Sequence, residues 1–185
     1  MVAMFHLSVD RSLELHLLEA HHAPLLFALT EKNRAHLRRW LPWLDSNTTQ
    51  EDTRRFIDQA RERYASRESL EMGIWHQGFL VGVVGFHEFD WPSRRGSMGY
   101  WLDAQAQGKG LMTRSCRALI EHAFAELGLN RVEIRCAPDN LRSRAIPERL
   151  GFRQEGWLRQ AEWLYDRFVD HLVYGLLVQD WQARR

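Results

Sequence analysis

Gln105-Ala106-Gln107-Gly108-Lys109-Gly110 decides how this chain is read: a glycine-rich turn set between an apolar extended segment and an amphipathic one. Before it, Ser97-Met98-Gly99-Tyr100-Trp101-Leu102 has the composition of a strand. After it, Met112, Cys116, Leu119, Ile120, Ala123, Phe124 and Leu127 recur every three or four positions, which predicts a helix ending near Gly128. A strand, a turn and a helix in that order present unpaired main-chain N–H groups at the positive end of a helix dipole. Such a corner suits a phosphate or diphosphate. The same two glycines would equally serve simply to make the bend. Two familiar phosphate loops are excluded by pattern. No Gly-x-x-x-x-Gly-Lys-Ser/Thr run exists, and Thr113 stands where a dinucleotide fingerprint needs its third glycine.

Working outward, 185 residues are expected to form one domain, 1–185, with a full core. Hydrophobic content of 45% and charged content of 26% are ordinary for a globular chain. A formal net charge of +1 gives no general drive towards nucleic acid or a membrane surface, so neither is expected as a partner. No apolar run approaches a bilayer span, and no basic region precedes an apolar core at the N-terminus; a cytoplasmic location is expected. Cys116 and Cys136 fall on the apolar sides of their elements and read as buried free thiols. No Cys/His spacing resembles a zinc site, so no metal is expected, and His21-His22 reads as lying near a helix start.

Residues 12–18 alternate, with Leu13, Leu15 and Leu17 on one side, and predict a strand. Pro24 suits the first turn of a helix through Leu25, Leu26 and Leu29, and a second short helix is expected over 33–40. Trp40-Leu41-Pro42-Trp43 is an apolar elbow. Thr48 and Glu51 fit a capping box for a helix whose buried stripe is Phe56, Ile57, Ala60 and Tyr64. Strands over 70–76 and 79–86 flank a Gln77-Gly78 turn; the second is apolar at nearly every position and is expected to be central, covered on both faces. After the loop Asp90-Trp91-Pro92-Ser93 comes the strand 96–102 that feeds the glycine turn. Further on, a strand carries Val132, Ile134 and Cys136, a short helix spans 141–150 and stops at Gly151, and two strands cover 152–159 and 168–177.

A second constellation follows the strand that ends at Ala137. In Pro138-Asp139-Asn140-Leu141-Arg142-Ser143, Asn140 can cap the short helix or bond the amides of a ligand. Gln105-x-x-Gly108-x-Gly110, then Asn140-x-x-Ser143, then Glu148-Arg149-Leu150-Gly151-Phe152 resembles the GNAT superfamily of acetyl-CoA-dependent N-acetyltransferases. More narrowly, Gly99-Tyr100-Trp101-Leu102, the Ser143 position and Glu155-Gly156-x-Leu158-x-Gln160-Ala161-Glu162 resemble the RimJ/RimL branch, which acetylates the N-terminal amines of ribosomal proteins. The resemblance implies an α+β fold with a mixed, mostly antiparallel central sheet flanked by helices.

It also implies a site. Acetyl-CoA would lie along the strand ending at Leu102, with its diphosphate over Gln105, Gln107, Gly108, Lys109, Gly110, Leu111 and Met112, and Asn140 would hold the pantetheine arm from the other side. The residues agree with this: glycines let the main chain approach oxygen atoms, and an exposed strand edge can pair with the arm's amides. Acyl transfer needs a neutral amine, a stabilised carbonyl oxygen and a protonated or stabilised departing sulfur. By carry-over from the branch, Glu162 is the expected proton acceptor and Ser143 the donor to the sulfur. The superfamily's usual tyrosine position is Pro147, which leaves that role to Ser143; Pro147 also lacks an N–H, so a kink or distorted first turn is expected near Ser143. Trp40, Trp43 and Trp91 are candidate walls for the acceptor, which would be a protein N-terminus or a small amine. A homodimer is expected by resemblance.

Overall fold

The computed structural model describes residues 5–184. The expectation of no targeting pattern at the extreme N-terminus, and the outer limits of the 1–185 domain, reach in part to residues outside the described ones. The strands are β1 (His6–Asp10), β2 (Leu13–Leu17), β3 (Leu70–His76), β4 (Phe79–Asp90), β5 (Arg95–Leu102), β6 (Arg131–Cys136), β7 (Arg153–Leu164) and β8 (Arg167–Leu177). The helices are α1 (Ala23–Leu37), α2 (Gln50–Ala65), α3 (Leu111–Ala125), α4 (Leu141–Leu150) and α5 (Val178–Gln182). All eight strands form one sheet in the order β1-β2-β3-β4-β5-β6-β8-β7, and β5–β6 is its parallel pair. This is the expected α+β architecture.

Val83 and Val84 are neighbours on β4, so their side chains leave opposite faces of the sheet. Val84 packs in the larger core with Met72, Phe86, Met98, Leu119 and Ile120; Val83 packs in a smaller one with Leu18, Ala23, Leu26 and Ile57. The apolar stripe of α3 therefore covers one face and α1 with α2 covers the other, which is why β4 carries so little polar sequence. Cys116 and Cys136 are buried and free, as expected. Burial pushes the Cys136 thiol up to about 11.

Several boundaries move, each for a local reason. The two helices expected before residue 40 are one: no breaker interrupts α1, and Asn33 is buried within it, its Nδ2 donating to the Leu29 carbonyl. The capping box shifts by one residue. Thr49 Oγ1 accepts from the Asp52 N–H at 3.1 Å and Asp52 Oδ2 accepts from the Thr49 N–H at 2.8 Å, while Glu51 stays exposed. On α2 the buried face is Thr53, Ile57 and Ala60, and Phe56 is exposed. β1 and α5 had no counterpart in the pattern, and β4 and β7 each run longer than expected.

Helix α4 runs without interruption from Leu141 to Leu150 with Pro147 inside it. The missing proline N–H leaves the Ser143 carbonyl without its donor four residues on. The Tyr100 hydroxyl fills that place, donating to the Ser143 carbonyl at 3.0 Å. Burial raises the Tyr100 pKa well above the usual phenol value, so the hydroxyl keeps the proton it donates.

Candidate active site

β5 and β6 part company halfway along. Their pairing runs from Arg95↔Arg131 to Met98↔Ile134 and stops, while β5 continues to Leu102 on the side of β4. The edge of β5 over residues 99–102 is thus released by β6 in the middle of the sheet. The N-terminal end of α4 faces the gap through the Tyr100–Ser143 bond.

The turn after β5 closes one end of this opening. Gly108 and Gly110 have φ of 76° and 71°, and a Cβ at either would meet nothing within 4 Å. These glycines answer to backbone conformation and to open space in front of it, not to crowding by the chain. Gly110 is the N-cap of α3 and makes no side-chain cap bond. Among the described residues, none of the main-chain N–H groups over 107–113 donates to another part of the chain. The result is a run of unpartnered donors at the start of a 15-residue helix, open to the outside. Lys109 is exposed beside it. These features fit a diphosphate.

The turn is also anchored, by residues that sequence reading missed. Lys32 of α1 reaches both Asp103 and Gln105 at 2.8 Å, and Asn33 Oδ1 accepts from the Ala104 N–H at 3.0 Å. Desolvation works against the Asp103 charge, but Lys32 and the Gln105 N–H hold its carboxyl below the usual range. Gln107 bridges two elements: its amide oxygen accepts from Arg142 on α4, and its nitrogen lies 3.0 Å from His36 Nε2 on α1. Burial, then Arg142 and Arg39, lowers the His36 pKa, so the ring is neutral near pH 7 and accepts at Nε2. No local pattern announces these partners, which lie 35 to 73 positions away in sequence.

Asn140 caps α4: its Oδ1 accepts from the Ser143 N–H at 3.2 Å, which leaves the amide nitrogen for other partners. The structure therefore brings Leu102, the 105–112 turn, Asn140 and Ser143 to one opening. Glu162 is held by a different element. It lies on β7 beyond an irregularity between Leu158 and Glu162, with its carboxylate 3.5 Å from His171 Nε2. The tip of that hairpin docks on the segment after α1, where Tyr165 accepts from the Leu44 N–H and donates to the Leu41 carbonyl.

On the other face of β5 lies a cavity of about 440 Å³ between α1, α2 and the sheet. Its apolar wall includes Leu26, Trp43, Phe56, Val83 and Trp101; Asp52, Arg55, Arg63, Glu71 and His87 supply its charge. Of the three tryptophans expected as walls, Trp43 lines the cavity and faces Trp101, with ring centroids 6.4 Å apart. Trp91 does not line it; its Nε1 donates to the Arg67 carbonyl and its ring packs on Phe89. Trp40 does not line it either, and lies under Arg39.

A strand edge released within a sheet, ending at an open helix start, suits a ligand that carries both amides and a phosphate, as the acyl carrier of an acyltransferase does. Residues 12–153 match the Acetyltransferase (GNAT) domain, and the chain belongs to that family. It is an acetyl-CoA-dependent N-acetyltransferase. It is 36% identical to YdaF of Bacillus subtilis over 184 residues, which is 98% of this chain and 100% of that one. It is 33% identical over 173 residues to the ribosomal-protein-serine acetyltransferase of Escherichia coli, spanning 93% of this chain and 96% of the other. Among solved structures, the RimL ribosomal L7/L12 alpha-N-protein acetyltransferase in complex with coenzyme A superposes with a TM-score of 0.91 at 32% identity, over 95% of this chain and 99% of that one.

Proposed function

We propose that this enzyme acetylates the N-terminal α-amine of a protein, a ribosomal protein being the preferred acceptor, in the cytoplasm. The observation that carries the reading is the near-complete overlap with the ribosomal-protein-serine acetyltransferase, 96% of its length at 33% identity. The cavity supports it. Its lining mixes Asp52 and Glu71 with Arg55 and Arg63, where a polyamine would call for an acidic lining. An α-amine, with a pKa near 7.7–8.0 against about 10.4 for lysine, is also the easier one to deprotonate at neutral pH.

Acetyl-CoA, when bound, supplies an acetyl carbon activated as a thioester. The residues of the chain do the rest. The N–H groups of Gln107, Gly108, Lys109, Gly110, Leu111 and Met112 hold the diphosphate, with the Gln105 segment pinned behind them by Lys32. The β5 edge at Leu102 pairs with the amides of the arm, and the Asn140 side-chain nitrogen donates to it from across the gap. Ser143 Oγ donates a proton towards the sulfur. Glu162, directly or through water, accepts the proton that nitrogen sheds as the new bond forms. The acceptor enters through the cavity over Gly99 and Trp101. We also propose a homodimer: the edge strand β7 and its partner expose Trp157, Trp163 and Phe168, a patch suited to a second copy.

The test is thiol release from acetyl-CoA against N-terminal peptides, lysine peptides and small amines, with mass spectrometry of the products. Modification at the α-nitrogen of peptides is expected. Turnover confined to small amines would overturn the acceptor class.

A further inference from the structure

His87 is the extra residue of a β-bulge. Phe86 pairs with Met98 and Glu88 with Ser97, so His87 has no opposite number on β5. A bulge re-aims the side chain it carries. Here the ring swings over Gly99, with Nε2 only 1.8 Å from where a Cβ of that residue would stand. Glycine is the one residue that lets the imidazole sit against β5 at the point where the released edge begins. Beneath it, the nearly buried Glu71 carboxylate of β3 meets His87 Nδ1 at 2.8 Å. A carboxylate accepts only, so Nδ1 carries the hydrogen and Nε2 carries the lone pair. Both residues line the cavity. From α2, Arg63 donates to the His87 carbonyl at 2.6 Å, and Asp52 and Arg55 stand further along the same wall. Structural needs alone do not require an imidazole on a bulge, fixed in one tautomer, at the mouth of a cavity.

We infer that His87, oriented by Glu71, removes the first proton from the acceptor's ammonium group inside the cavity. The inference rests on the acceptor reading given above. The step balances: one N–H bond of the ammonium breaks, an N–H bond forms at Nε2, and the electron pair stays on the amine. The imidazolium so formed is compensated by Glu71. This proton is distinct from the one Glu162 receives after attack. His87 is the catalytic residue of this step, and Glu71 is its positioning residue. Desolvation opposes charge on the ring, but Glu71 outweighs it and raises the His87 pKa above the ordinary histidine value.

The test is the pH dependence of kcat/KM at saturating acetyl-CoA, with two peptides whose α-amines differ by about one pKa unit. In the wild type the rising limb belongs to His87 and falls at the same pH for both peptides. In His87→Asn the limb tracks each peptide's own amine, and the rate near neutral pH drops about 10²-fold. In Glu71→Gln the limb moves to lower pH by about one unit, because the imidazolium has lost its counter-charge. A uniform drop in His87→Asn, with limbs unmoved in either variant, would overturn the inference. The thermal shift given by acetyl-CoA checks that each variant is folded. Should His87→Asn fail that check, the direction of the Glu71→Gln limb decides alone. Absence of peptide transfer by the wild type would instead remove the acceptor reading and leave the dyad without its substrate.

Discussion

Ser143 bonds its surroundings mainly through its main chain: its N–H goes to Asn140 Oδ1 and its carbonyl receives the Tyr100 hydroxyl. Its hydroxyl also bonds the Cys136 thiol. Ser143→Ala therefore keeps both main-chain bonds at the start of α4 and removes Oγ with its contact to Cys136. We expect kcat to fall about 10²-fold with an unchanged KM for acetyl-CoA. A raised KM with normal kcat, read by steady-state kinetics, would assign the hydroxyl to binding instead. Glu162→Gln keeps the shape of the side chain and a hydrogen bond to His171 within reach. It should lower kcat/KM for the acceptor by about 10²-fold without weakening acetyl-CoA, and wild-type turnover would exclude Glu162 as the base. Ser143 and Glu162 were legible only through the resemblance to the RimJ/RimL branch, as expectations carried over from its motifs. Lys32, His36, Glu71 and His87 were not. Each is an ordinary polar residue within a helix or strand, and its meaning comes from partners that only the fold supplies.

At the scale of elements, Pro147 and Tyr100 form a coupled pair that can be measured. Tyr100→Phe leaves the Ser143 carbonyl without a donor and should destabilise the protein by about 1–3 kcal/mol. Pro147→Ala restores an N–H that can serve the same carbonyl. In the Pro147→Ala background, Tyr100→Phe should then cost less, with a coupling of about 1 kcal/mol in chemical denaturation. Additive effects would mean that the tyrosine hydroxyl does not replace the proline's missing donor. The ends of α4 were readable in advance because Asn140 and Gly151 are strong terminators, and Gly151 takes φ of 85° at the C-cap. Sequence shows the donor lost at Pro147 but not the distant Tyr100 hydroxyl that replaces it. β1 and α5 escaped notice for a different reason. Each has five residues, too short to display a period, and each is held by its tertiary neighbours.

For the whole molecule, acid should unfold the protein in two stages. Burial lowers the pKa of His22, His36 and His122 below the ordinary value, so the unfolded chain binds protons first as pH falls through about 6.5. This gives a shallow loss of stability between neutral and mildly acid pH. His87 has the opposite sign: its contribution is present below its ordinary value and is lost as pH rises through its raised one. The steep stage lies lower. Hydrogen bonds from Thr49 and Thr48 bring Asp52 down to about 2, and Asp45 and Asp103 also titrate below their usual values. Stability they supply is present above about pH 4 and disappears as pH falls through their folded values. A plot of Tm against pH should show both stages, and Asp52→Asn should flatten the lower one. A single transition at pH 4 would mean that the histidines contribute nothing.

Ligand linkage tests the site at the same scale. At a free acetyl-CoA concentration 100 times Kd, binding to the folded state alone adds about 2.7 kcal/mol. For a chain of this length that corresponds to a rise in Tm of about 5–10 °C. Coenzyme A without its acetyl group should give most of the shift, because the proposed grip is on the diphosphate and the arm. The space in front of Gly110 contains no atoms of the chain, so a side chain there extends outwards from the N–H run. Gly110→Glu puts a carboxylate at the proposed phosphate site and forces a non-glycine residue into a left-handed conformation. Comparing each protein with and without ligand sets aside the variant's own Tm: the wild type should shift and Gly110→Glu should not. An equal shift in both would move the diphosphate away from the start of α3, and the released edge of β5 would lose the ligand that explains it.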